Sequence, residues 1–192
     1  MRIHFRIAAQ LLLLGLLVGC ASMPPPTYQS SVDTTQVLLE HREARLAVGS
    51  FTALAGVPNA GLSVRGSQLS AGGNESTFSD YLRNALITEL KTAGRFDQQS
   101  QMRMEGILAN NKLDAGAATG SATIAARFVV TRANVNVYDK TLTVTHMWDS
   151  SFMGAIAIPS AVQNYAGAIQ KLVFKLVTDP DFVQATAGMK GV

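Results

Sequence analysis

The segments Ser121-Ala-Thr-Ile-Ala-Ala-Arg-Phe-Val-Val130 and Thr141-Leu-Thr-Val-Thr-His-Met-Trp-Asp149 decide how this chain folds. In the first, Ile124, Ala126, Phe128 and Val130 alternate with Thr123, Ala125, Arg127 and Val129; in the second, Leu142, Val144, His146, Trp148 and Phe152 alternate with Thr143, Thr145, Met147 and Asp149. A period of two is the mark of strands with one face in a core. The two runs, Ser121 to Tyr138 and Thr141 to Met153, predict a long antiparallel hairpin, with Asp139-Lys140 as the tight connection.

Working outward, Met102 to Leu113 is a third extended run, joined to the hairpin through the small residues Gly116 to Gly120. Upstream, Phe78, Leu82, Ala85, Leu86, Leu90 and Ala93 recur at helical spacing. Thr77 and Asp80 form a capping pair, and Gly94 suits the left-handed stop. Arg83, Asn84, Thr88, Glu89 and Lys91 fall on the side expected to face solvent. Leu46 to Leu54 reads as a buried strand, and the glycine-rich Ala55 to Gly73 as a long flexible connection that is a candidate functional loop. A second helix is predicted from Pro159, with Ser160 and Gln163 as its capping box and Asp179-Pro180 as its stop. The order β-α-β-β-β-α predicts an α+β two-layer sandwich: a mostly antiparallel sheet of about four strands with two helices on one face. The other sheet face is left available.

The start of the chain has a different character. Arg2 and Arg6, with no acid nearby, precede the apolar Leu11 to Val18, the pattern of a secretory signal. The run is too short to remain as a span. It ends in Leu17-Val18-Gly19-Cys20, containing the sole cysteine, which resembles the bacterial lipobox. The resemblance implies that residues 1–19 are removed and that the Cys20 thiol carries a lipid, giving a membrane partner through the N-terminus. Ala21, where an aspartate would imply inner-membrane retention, implies the periplasmic face of the outer membrane. Residues 20–35, with Pro24 to Pro26, read as a lipidated tether; residues 36–182 as one periplasmic domain; and residues 183–192 as a tail.

Charge follows from the same reading. The full chain has 16 basic and 13 acidic residues, a formal charge of +3, but the signal removes two arginines and no acid. Nucleic acid is therefore not an expected partner.

Chemistry-bearing motifs are sparse. His41 and His146 lie far apart without a third ligand, so no metal or other cofactor is expected. Gly49-Ser50, Gly66-Ser67 and Gly120-Ser121 each lack the second glycine of a nucleophile turn, and the carboxylates show no paired signature. Trp148 and Phe152 admit two readings: core side chains, or an aromatic patch for a protein or lipid.

Leu46-Ala-Val-Gly-Ser-Phe51, Leu90-Lys-Thr-Ala-Gly-Arg-Phe96 and Met104-Glu-Gly-Ile-Leu108 together resemble curli-secretion-type lipoprotein domains and peptidoglycan-synthase activators. Tyr138-Asp-Lys140, Trp148 to Gly154 and Ala157-Ile-Pro159 resemble the YajG-like and ABC-transport auxiliary lipoproteins. The resemblance implies a non-enzymatic accessory role with an envelope protein partner, or a lipid ligand in a transport system. It supplies no catalytic residues, and the chain lacks the membrane-hairpin strands of a curli-type pore.

Overall fold

Strands and helices share the computed structural model about equally, and it describes residues 22–40, 44–71 and 77–187. In chain order the elements are β1 (Ser22–Met23), α1 (Val32–Glu40), β2 (Ala47–Ala53), β3 (Gly61–Val64), β4 (Ser67–Ser70), α2 (Phe78–Thr92), β5 (Met102–Asp114), β6 (Thr119–Arg132), β7 (Val135–Asp149), α3 (Gly154–Val177) and α4 (Pro180–Thr186). The main sheet has the order β2-β5-β6-β7, with β2 parallel to β5 and the other pairs antiparallel. A small sheet, β1-β4-β3, is not hydrogen-bonded into it but shares its core through Leu62, Val64 and Leu69. The α+β class holds, with more elements than the sequence pattern suggests.

The alternation in β6 and β7 does what it predicts. Ala122, Ile124, Ala126, Phe128 and Val130 are fully buried, and register pairs Ile124 with Val144 and Ala126 with Leu142. From the helices, Leu82, Leu86, Leu90, Tyr165, Ile169, Leu172 and Leu176 complete the core. Two glycines set close approaches. A Cβ on Gly106 would lie 2.2 Å from the Phe51 ring, and one on Gly120 would lie 2.2 Å from the Trp148 ring.

The hairpin turn is not Asp139-Lys140. It is Ala133-Asn134, with φ of 47° and 67°, the two left-handed residues of the turn that matches strand twist. Asp139 instead pairs with Val129 inside the ladder, and Lys140 with Phe128. The Ala55 to Gly73 connection also differs: it contains the β3–β4 hairpin, turning at Arg65-Gly66 with φ of 47° and 81°. Gly56 and Gly66, at φ of 82° and 81°, supply the left-handed turn positions there.

Helix α2 starts as expected, the Thr77 side chain accepting from the Asp80 N–H at 3.1 Å, and Gly94 at φ 68° follows its end. Helix α3, however, starts at Gly154, placing Pro159 inside it and Ser160 beyond any cap position. The Ser160 oxygens accept from Asn164 Nδ2 instead, at 2.9 and 3.3 Å. Residues 180–186 are helical, and buried Phe182 and Thr186 dock that helix, so the expected tail is part of the domain as far as it is described.

The largest departure concerns residues 22–35. Composition suggests a spacer, whereas the chain here is laid onto the domain. Ser22 and Met23 pair with Gln68 and Leu69, Pro26 O accepts from Tyr81 Oη at 2.8 Å, and Tyr28 is buried against Tyr81 with centroids 6.3 Å apart. Tyr28 Oη donates to Glu89 Oε1 at 2.7 Å, and the Ser31 N–H donates to the same oxygen at 2.8 Å. Glu89 is thereby buried on a helix side expected to face solvent.

Candidate functional site

Leu17, Val18, Gly19 and Cys20 lie outside the described residues, as does His41. The remaining sites can be built from side chains.

Trp148 and Phe152 are separated by the end of β7 at Asp149. Trp148 still alternates inward: its indole lies over Gly120, 5.8 Å from the His146 ring, and packs against the core. Phe152 is on the β7–α3 connection and 86 % exposed. Trp148 is thus a core-facing side chain, whereas Phe152 lies on the surface. Sequence reasoning missed the companions of Phe152. Met153 and Ile156 are 60 % and 55 % exposed, and from Phe152 through Pro159 the sequence is Phe-Met-Gly-Ala-Ile-Ala-Ile-Pro, without a polar side chain. The signal was this unbroken run, disguised because a helix was expected only from Pro159. Arg65, in the β3–β4 turn, donates Nη1 to the Phe152 carbonyl at 3.1 Å and ties the small sheet to this corner.

His146 faces a cleft of about 320 Å³ lined by Ser31, Asp33, Gly167, Gln170, Lys171 and Phe174. Its Nε2 lies 2.9 Å from Asn164 Oδ1, and since the Asn164 amide nitrogen donates to Ser160 O, Nε2 carries the proton. Nδ1 is then an acceptor, buried and without a partner among the described residues. Burial lowers the His146 pKa, the Asn164 bond raises it, and nearby Lys171 lowers it further. The ring serves as a packing and hydrogen-bonding group, bonded to Asn164 and stacked near Trp148. Among the described residues no three His, Cys, Asp or Glu side chains are grouped to hold a metal.

The outer face of the main sheet is the third candidate. All the helix contacts to the sheet described above come from one side, leaving Ser121, Thr123, Arg127, Thr141, Thr143, Thr145 and Met147 toward the other. Thr123 and Thr145 are linked across strands by their hydroxyls at 3.1 Å. Arg127 binds Asp139 in a two-pronged contact at 2.6 and 2.5 Å, which holds the Asp139 carboxyl below its usual range. Strand β7 is an edge of this sheet, and Lys175 Nζ donates to the Thr143 carbonyl at 2.9 Å, placing a cation on the free edge.

No family model matches the chain, and no curated protein matches it. Among solved structures, it is similar to a Xanthomonas campestris protein assigned to the DUF330 family model, with 18 % identity, a TM-score of 0.58, and coverage of 85 % of this chain and 96 % of that one. A Caulobacter crescentus protein named as a candidate lipoprotein matches at 16 % identity, with a TM-score of 0.47 and coverage of 83 % and 98 %. The first likeness shows a shared fold. No described helix is long and apolar enough to cross a membrane.

Proposed function

We propose that this chain is a lipid-anchored lipoprotein of the cell envelope, facing the periplasm from the outer membrane, that works by binding a protein partner and not by catalysis. The anchor rests on Leu17-Val18-Gly19-Cys20 at the end of a secretory-type apolar run. The observation that carries the binding role is the outer sheet face, lined by Thr123, Thr143, Thr145 and Met147 with none of the described helices laid over it. Its long strands offer a broad, stiff platform of short side chains, where a partner can dock without displacing bulky groups.

Two measurements test this reading. Incorporation of a palmitate analogue into the parent, and none into Cys20→Ser, supports the anchor; equal incorporation sinks it. For the binding role, a photoreactive residue is placed at Thr143, Thr145 or, as control, Gln163, an exposed position of α3. A shared adduct from the two threonines and none from Gln163 is expected, whereas identical adducts from all three positions would overturn the face assignment.

The second reading is an auxiliary lipoprotein of an ABC-type transporter or lipid-trafficking system. Phe128, Ile124, Tyr165, Ile169 and Leu172 between sheet and helices are at 0 % exposure, which favours docking over carrying an acyl chain inside the domain.

A further inference from the structure

Resting on the lipid-anchor reading, we infer that the corner formed by Phe152, Met153, Ile156 and Arg65 is a membrane-contact surface, seated in the leaflet that holds the Cys20 lipid. Chain direction is the first ground. Strand β1 runs parallel to β4 with Ser22 beside Gln68, so the described chain starts near the end of the small sheet where β4 follows the Arg65-Gly66 turn. Cys20 is two residues before Ser22, a reach of no more than about 7 Å in extended chain. The lipid therefore leaves the domain at the Arg65 end of the small sheet, and Arg65 is bonded to Phe152.

The chemistry of the corner is the second ground. Phe152, Met153 and Ile156 are 86 %, 60 % and 55 % exposed within five residues that carry no polar side chain, a cluster that water-facing surfaces avoid. Helix α3 begins here with Met153 as its cap residue. That residue makes no side-chain bond to the first turn, and the turn contains no acid. An uncapped helix start and the Arg65 guanidinium both favour phosphate, so apolar side chains at acyl depth and positive groups at headgroup depth match the two layers of a phospholipid leaflet. The packed residues 22–31 make the arrangement firm, because the domain cannot swing away on a long tether.

The test uses acylated protein reconstituted on phosphatidylethanolamine/phosphatidylglycerol vesicles, with spin labels introduced by Phe152→Cys, Ile156→Cys and Val135→Cys. Val135 is exposed and apolar but lies at the far end of the β6–β7 hairpin. On vesicles, labels at 152 and 156 should lose relaxation by a water-soluble nickel chelate and gain it from lipid-soluble oxygen, while the label at 135 stays unchanged. Undiminished nickel access at 152 and 156 in protein that carries the lipid overturns the contact surface and leaves the anchor standing. Absence of lipid on Cys20 overturns the anchor, and this inference with it. Shielding of 152 from both reagents, together with a larger sedimenting species, would assign the corner to a second copy of the chain.

Discussion

Glu89, which is buried, and His146, which is half-buried, have opposite consequences for pH dependence. Burial raises the Glu89 pKa above its usual 4.5, against the lowering effect of the Ser31 N–H and Tyr28 hydroxyl bonds. A raised folded pKa gives stability that is complete below the unfolded value and lost as pH rises through the folded one. For His146 the folded pKa is lowered from 6.5, so its contribution is present above 6.5 and lost as pH falls below it. Glu89→Gln keeps an oxygen for both donors and removes the buried charge. We expect it to match or exceed the parent in urea midpoint at pH 7.5, the difference shrinking toward pH 4.5. His146→Gln should gain on the parent between pH 7.5 and pH 5. Tyr28→Phe removes one donor from a buried carboxylate and should cost about 1.5–3 kcal/mol at neutral pH. A Tyr28→Phe protein as stable as the parent would mean that the N-terminal segment is held by other contacts.

At the scale of elements, the β6–β7 hairpin carries a local cost at its turn. Ala133 adopts φ 47°, a left-handed conformation that costs an L-residue roughly 1–2 kcal/mol. Replacing Ala133-Asn134 by Asn-Gly, the pair best suited to this turn, should raise Tm by several degrees. In the other direction, Gly120→Ala drives a methyl group into the Trp148 indole and should destabilise by about 1–3 kcal/mol. It should also shift the emission of the sole tryptophan. The strands themselves were legible because Ile124, Ala126 and Phe128 point into the core while Thr123, Arg127 and Val129, between them, lie on the open face. Turn position was not, because Asp139-Lys140 has more turn-like composition than Ala133-Asn134, and only the register across the hairpin separates them. Proline misled in the same way: Pro159 marks a helix start in isolation, but Ile156 N–H and Ala157 N–H already bond to Met153 O. That misplacement concealed the exposed Phe152 to Ile156 run, the part of the candidate surface least visible from sequence.

Across the whole molecule, the decisive feature is how the N-terminal segment is stored. Pro24 to Pro26 suggested a spacer because proline-rich chain lacks a repeating apolar pattern. What fastens it is long-range: Tyr28 on Tyr81 and Glu89, Tyr81 on Tyr165 at 6.2 Å, and Tyr165 Oη on Asn111 Oδ1 at 3.0 Å, a chain of contacts running from the segment to β5. Such contacts between residues far apart in sequence leave no local periodicity to read. Their effect is to hold the described chain against the domain as far back as Ser22, two residues from Cys20. A ten-residue Gly/Ser insertion between Ala21 and Ser22 should therefore leave the urea midpoint unchanged, since none of the packed contacts is touched. It should nevertheless weaken the seating of Phe152 in the leaflet, because a flexible linker of ten residues spans about 16–19 Å and dilutes the corner near the surface. Increased nickel-chelate access at position 152 in the inserted protein, at equal vesicle binding, is the expected result. Unchanged access would mean that the apolar corner holds the membrane by itself and that the packed N-terminal segment has a purely structural role.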